Sequence, residues 1–159
     1  MRELDVVGVR VEMPSNSPIV LLRERDGDRY LPIWVGAPEA SAIAFAQQGV
    51  VPPRPLTHDL LKDVIEAMGR RLEEVRIIAI RENIFHAELV FDAGLIVGSR
   101  SSDAIALALR VGCRIVGAEE VLEAGGVSVP DEDEDEVEKF REFLDQISPE
   151  DFEGPAPPP

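Results

Sequence analysis

Six consecutive acids, Asp131–Glu136, limit how much of this chain can pack into a core. Adjacent carboxylates repel one another and hold their water, so such a run stays solvated. From Asp131 to the end there are 12 acids and two bases, Lys139 and Arg141, and the chain closes on Gly154-Pro-Ala-Pro-Pro-Pro159. The expected division is a folded domain over residues 1–129 and an acidic tail over 130–159. Within the tail, Val137, Phe140, Phe143, Leu144 and Ile147 recur at helical spacing, which predicts an amphipathic helix over 136–147. The proline-rich end has nothing to bury and is expected to be disordered.

The tail also explains most of the net charge of −15. Residues 1–130 hold 19 acids and 14 bases, so the body is only mildly acidic. A broad basic face for nucleic acid is excluded, because phosphate contacts need clustered Lys and Arg. Any nucleic-acid chemistry must occupy a small local site. The same balance argues against adsorption to anionic membranes. The lone cysteine, Cys113, rules out an intrachain disulfide and a cysteine-based zinc cage, and its apolar neighbours predict a packed thiol. Met1-Arg2-Glu3-Leu4-Asp5 lacks the basic and apolar pattern of a signal peptide, and no apolar run approaches a membrane span of about 18 residues. The expected location is cytoplasmic.

Val-rich Leu4–Met13, Ile19–Arg23 and Tyr30–Val35 read as strands. They are joined by the turn cluster Pro14–Pro18 and by a hairpin turn centred on Asp26-Gly27. Helices are predicted from Pro38 to Gln48, from Thr57 to Met68 and from Asp103 to Val111. Each ends at a glycine: Gly49, Gly69 and Gly112. Between and after them, Arg76–Ile80 and Ile84–Phe91 form a predicted hairpin, Gly94–Gly98 and Arg114–Val116 short strands, and Glu119–Leu122 a short helix. The fold class is α+β (mixed α/β): an N-terminal antiparallel meander, then helices packed on a mixed sheet around a single core.

Three helix starts carry the polar chemistry. They are Gly36-Ala-Pro-Glu39, Arg54-Pro-Leu-Thr57-His58-Asp59 and Arg100-Ser-Ser102-Asp103. Free backbone N–H groups there favour an anion. If the ends converge, Glu39, Asp59 and Asp103 could hold Mg²⁺ or Mn²⁺, which take oxygen ligands and assist phosphodiester cleavage. Arg54 and Arg100 would then meet phosphate, and His58 would move a proton. The competing reading makes Thr57 and Ser101 or Ser102 helix caps and the acids partners of the helix dipole. On the predicted strand 84–91, alternation places His86 with Ile84 and Glu88 on one face. Tyr30 and Trp34 share a face of the third strand, as a core or subunit contact or a platform for a base. No P-loop, dinucleotide fingerprint, Gly-x-Ser-x-Gly elbow or His-Glu-x-x-His is present. No organic cofactor is expected.

Three segments together resemble the bifunctional nuclease domain family: Leu31-Pro-Ile-Trp-Val-Gly-Ala-Pro-Glu-Ala-Ser-Ala-Ile43, Arg54-Pro-Leu-Thr-His-Asp-Leu60 and Ser102-Asp-Ala-Ile-Ala-Leu-Ala-Leu-Arg110. The resemblance covers about residues 3–128. It implies a compact α/β domain, association as a homodimer or higher oligomer, and cleavage of DNA and RNA with little sequence preference. Carried over by motif position, Glu39 lies in the first segment, Thr57, His58 and Asp59 in the second, and Ser102 and Asp103 in the third. The family's third motif commonly has a proline before Ser-Asp and an acid before its arginine; Ser101 and Ser99 stand there in this chain.

Two functions follow as expectations. The first is a low-specificity nuclease that meets nucleic acid as a substrate at a local site. Its catalytic residues are Glu39, His58, Asp59 and Asp103, and its phosphate-binding residues are Arg54, Thr57, Arg100 and Ser102. The alternative is a non-catalytic dimeric module whose acidic tail binds a protein partner.

Overall fold

The computed structural model describes residues 1–128. The expected tail, its helix over 136–147 and its proline-rich end lie outside the described residues. The described chain runs β1 (Arg2–Glu12), β2 (Ser17–Glu24), β3 (Arg29–Trp34), α1 (Ala37–Gln48), α2 (Thr57–Ala67), β4 (Leu72–Arg81) and β5 (Ile84–Phe91). It continues through β6 (Ile96–Arg100), α3 (Ser101–Val111), β7 (Arg114–Gly117), α4 (Glu119–Gly125) and β8 (Val127–Ser128). The α+β class and the mixed sheet are as the sequence predicts. A 3-10 turn at Asp92–Gly94 and the short β8 were not predicted.

All eight strands form one sheet in the order β6-β5-β4-β7-β1-β2-β3-β8. The β4–β7 pair is parallel and every other pair antiparallel. Parallel neighbours need a crossover, and the segment from β5 through α3 supplies it. One row of partners runs Leu4, Ile115, Val75, Leu89, Val97 across five strands. The first four side chains are buried, whereas Val97, on the outermost strand, is half exposed. The sheet's inner face therefore emerges from its helical cover at β6, beside the groove described below.

Helix α3 lies deep in the core, burying Ala104 through Ala108, and both α1 and α2 pack against it. It stops at Gly112, whose φ of 82° lies in the left-handed region that glycine adopts without strain. Alternation on β5 is as predicted, with Ala87 and Leu89 buried and Ile84 exposed. Cys113 is partly buried against the core, and burial, reinforced by Glu74, pushes its thiol up to about 11.

Three expectations need correction. Of the core or subunit contact expected for Trp34, the core half is overturned: the residue is 56% exposed, and its indole N–H donates to Glu12 at 2.9 Å. Thr57 is the first helical residue of α2 rather than its cap, since Leu56 holds the extended cap position. Ser101 and Ser102 are buried inside the first turn of α3, and Arg100 precedes it.

Candidate active site

The three predicted helix starts come together, but not all of their acids join the same cluster. At the start of α1, Gly36 is extended, and Glu39 folds back over it. A Cβ on Gly36 would lie 2.5 Å from the Glu39 carboxylate. The missing side chain thus leaves Glu39 room to face α3. Arg100, at the end of β6, answers from there: its guanidinium donates to Glu39 Oε1 and to Asp103 Oδ2, each at 2.8 Å. From α2, His58 Nε2 reaches Asp103 Oδ1 at 2.9 Å. Glu39, His58, Arg100 and Asp103 therefore form one connected group drawn from α1, α2, β6 and α3.

Asp59 is turned elsewhere. Neighbouring helix positions point about 100° apart, so when His58 faces Asp103, Asp59 must aim differently. Its two oxygens accept from the Leu56 backbone N–H at 3.0 Å and from Arg110 Nε at 2.7 Å. Arg110 also donates to the Ala106 carbonyl. Seven residues separate Asp103 from Arg110, two turns of α3, so both lie on the side that meets α2. Two polar contacts, the hydrogen bond His58–Asp103 and the ion pair Asp59–Arg110, clamp α2 onto α3.

A cation shared by Glu39, Asp59 and Asp103 does not fit this arrangement. Asp59 is engaged by Arg110, and Arg100 occupies the space between Glu39 and Asp103. Among the described residues no group of three or more His, Cys, Asp or Glu could hold a metal ion.

The protonation of the cluster follows from its contacts. Burial works to raise Asp103, but hydrogen bonds from Arg100 and His58 outweigh it and hold the carboxyl below its ordinary range. Asp59 behaves alike: burial opposes, while Arg110 and the Leu56 N–H bring it below the ordinary value. An ionised Asp103 can only accept, so in their hydrogen bond His58 Nε2 is the donor. Arg100 remains 65% exposed despite its two carboxylate partners.

These residues border an open groove of about 1100 Å³ between α1, α2 and β6. Glu39, Thr57, His58, Arg100 and Asp103 line it. Ser102 does not; it is buried on the side of Arg100 that faces Trp34. Arg54 is exposed in the loop before α2 and does not line the groove. Sequence reasoning missed the apolar wall, formed by Phe45, Leu56, Leu60, Leu61 and Val97. The stripe Leu60, Leu61, Val64 and Met68 has helical spacing, which signals a helix face but not that the face meets water. The Arg110 clamp was also missed, although its seven-residue spacing from Asp103 is readable.

The fold and the cluster define a small α+β domain with a histidine–carboxylate pair beside an exposed arginine. The model of the bifunctional nuclease domain matches residues 20–130, and the chain belongs to that family. Similar proteins include two from Mycobacterium tuberculosis, the uncharacterized protein MT1877 of strain CDC 1551 / Oshkosh and the uncharacterized protein Rv1829 of strain ATCC 25618 / H37Rv. Each is 56% identical over 163 residues, covering 97% of this chain and 99% of the relative.

Proposed function

We propose that this protein hydrolyses phosphodiester bonds of nucleic acid with little sequence preference, using His58 and Asp103 as a proton-transfer pair and Arg100 as the phosphate contact. The observation that carries the reading is the 2.9 Å bond between His58 and Asp103 beside Arg100, in a chain of the bifunctional nuclease domain family. In this scheme Asp103 fixes the imidazole orientation and stabilises its protonated form. His58 Nδ1 accepts a proton from an attacking water, whose oxygen bonds to phosphorus. The bond from phosphorus to the leaving sugar oxygen breaks, that oxygen takes a proton from solvent, and His58 returns the proton it accepted to solvent. Arg100 offsets charge on the non-bridging oxygens, and Glu39 holds Arg100 in place. No step passes through a metal ion.

Removing a positioned acid–base group typically costs on the order of 10²–10⁴ in rate. Purified Asp103→Asn and His58→Ala should each lose cleavage of DNA and RNA by at least about 100-fold while retaining the wild-type circular dichroism. Unchanged cleavage in both variants would overturn the assignment. Cleavage abolished by a chelator and restored by Mg²⁺ would return a cation to the reaction.

Association of copies and a cytoplasmic location belong to the same reading. Among the described residues no strand pairs with the outer edge of β6, where Ile96 is 51% exposed, and this supports association, because such an apolar edge favours pairing with another chain. Sedimentation velocity reads it, and a monomer at every concentration would remove it.

A further inference from the structure

Among the described residues Arg100 is the one arginine or lysine that borders the groove, and Glu39 and Asp103 already share its charge. A DNA duplex presents one phosphate charge per about 1.7 Å of axis, and proteins hold it by neutralising several phosphates at once. This groove has no such series. Its walls offer apolar surface instead: Leu60 and Val97 are at least half exposed, Leu56 and Leu61 more than a third, and Phe45 stands beside them. In a duplex the apolar faces of the bases are stacked against one another and hidden. An unpaired base presents those faces, and proteins bind such bases on aromatic and apolar side chains.

We infer that the groove takes unpaired nucleic acid, with a base laid against Leu60, Leu61 and Val97 and the adjoining phosphate at Arg100. The inference rests on the nuclease reading above and adds the strand state of the substrate. A volume of about 1100 Å³ admits one or two nucleotides beside the cluster. Phosphate and base then divide the work. The arginine supplies charge complementarity at one point, and the apolar wall supplies the remaining affinity.

The test uses the full chain and fluorescein-labelled 12-mers of one sequence, single-stranded and as a blunt duplex. Cleavage is followed with the wild type, and binding by fluorescence anisotropy with Asp103→Asn. The single strand should be cut, and bound, at least about tenfold better than the duplex, within the range for one stacked base. The double variant Leu60→Ser, Val97→Thr changes only solvent-exposed side chains. It should raise KM for the single strand about tenfold with kcat and thermal midpoint unchanged. Equal cleavage of the two substrates, or an unchanged KM in the variant, would overturn the inference and leave the nuclease reading standing. If neither substrate is cut, the nuclease reading falls and anisotropy alone decides: preference for the single strand upholds the groove assignment, and equal or absent binding ends it.

Discussion

Helices α1 and α2 are nearly equal in length, and both lie against α3, yet they are attached by opposite means. Helix α1 buries Ala40, Ala42, Ile43 and Ala44, so its middle is part of the core. Helix α2 is strongly amphipathic but has no fully buried residue, and Ile65 alone packs on the core from partial cover. Its attachment is polar, through the two clamps to α3. One functional side chain, Glu39, therefore rides on a rigid element. His58 rides on an element that charge holds in place, and the apolar face of that element looks into the groove.

The sharpest break in this comparison is a paired truncation. Ile43→Ala should destabilise by about 2–5 kcal/mol, as expected for a fully buried aliphatic side chain. Leu60→Ala, on the exposed face of α2, should stay within about 0.5 kcal/mol. Urea denaturation of both variants measures the contrast, and similar costs would mean that α2 is packed as α1 is. Next comes the lower clamp. Arg110→Ala leaves Asp59 without its charged partner, and should cost about 1–3 kcal/mol because Asp59 is still reached by water. Amide exchange should then speed up in α2 while α1 keeps its protection; equal acceleration would show that the clamp serves the whole domain. A smaller effect is expected from Gly36→Ala, about 1 kcal/mol or less. Its Cβ would push away the Glu39 carboxylate and break the contact with Arg100, lowering cleavage more than stability.

Acid sharpens the same contrast. Asp59 and Asp103 both titrate below their ordinary 3.8 in the folded protein. The stability they contribute is complete above that value and is lost as pH falls through their lowered folded values. Acid should therefore loosen α2 before α1, as judged by exchange of their amides over a descending pH series. Simultaneous loss would contradict the difference in attachment.

Much of this architecture is readable from local signals. Gly49 and Gly112 occur where a left-handed residue ends a helix, and the alternation of Ala87 and Leu89 declares the buried face of β5. Corrections fall where a local signal has two tertiary outcomes. Trp34 looks like core by residue type, but its strand position turns it to solvent and to Glu12. Thr57 and Ser102 have capping chemistry, yet Thr57 stands one position and Ser102 two positions past the cap of its helix. The candidate site is half legible. Glu39, His58, Arg100 and Asp103 can each be picked out as polar groups at helix starts. Which carboxylate accompanies which base depends on the rotation of α2 about its axis, and no spacing within a single segment encodes that. The apolar wall is visible as periodicity but not as exposure, because exposure depends on what the rest of the chain leaves uncovered.

The bonds that close the cluster span long stretches of chain: 45 positions from His58 to Asp103 and 61 from Glu39 to Arg100. During synthesis, at about 5–20 residues per second, His58 is made roughly 2–9 s before its partner exists. The N-terminal meander and α1 can form while the groove still has only one wall. The cluster is thus incomplete for much of synthesis and closes only in the step that seats α3. A fragment ending anywhere between residues 58 and 100 would carry His58 and Glu39 without the Asp103 and Arg100 that they meet, so it inherits pieces of the fold but not the cluster.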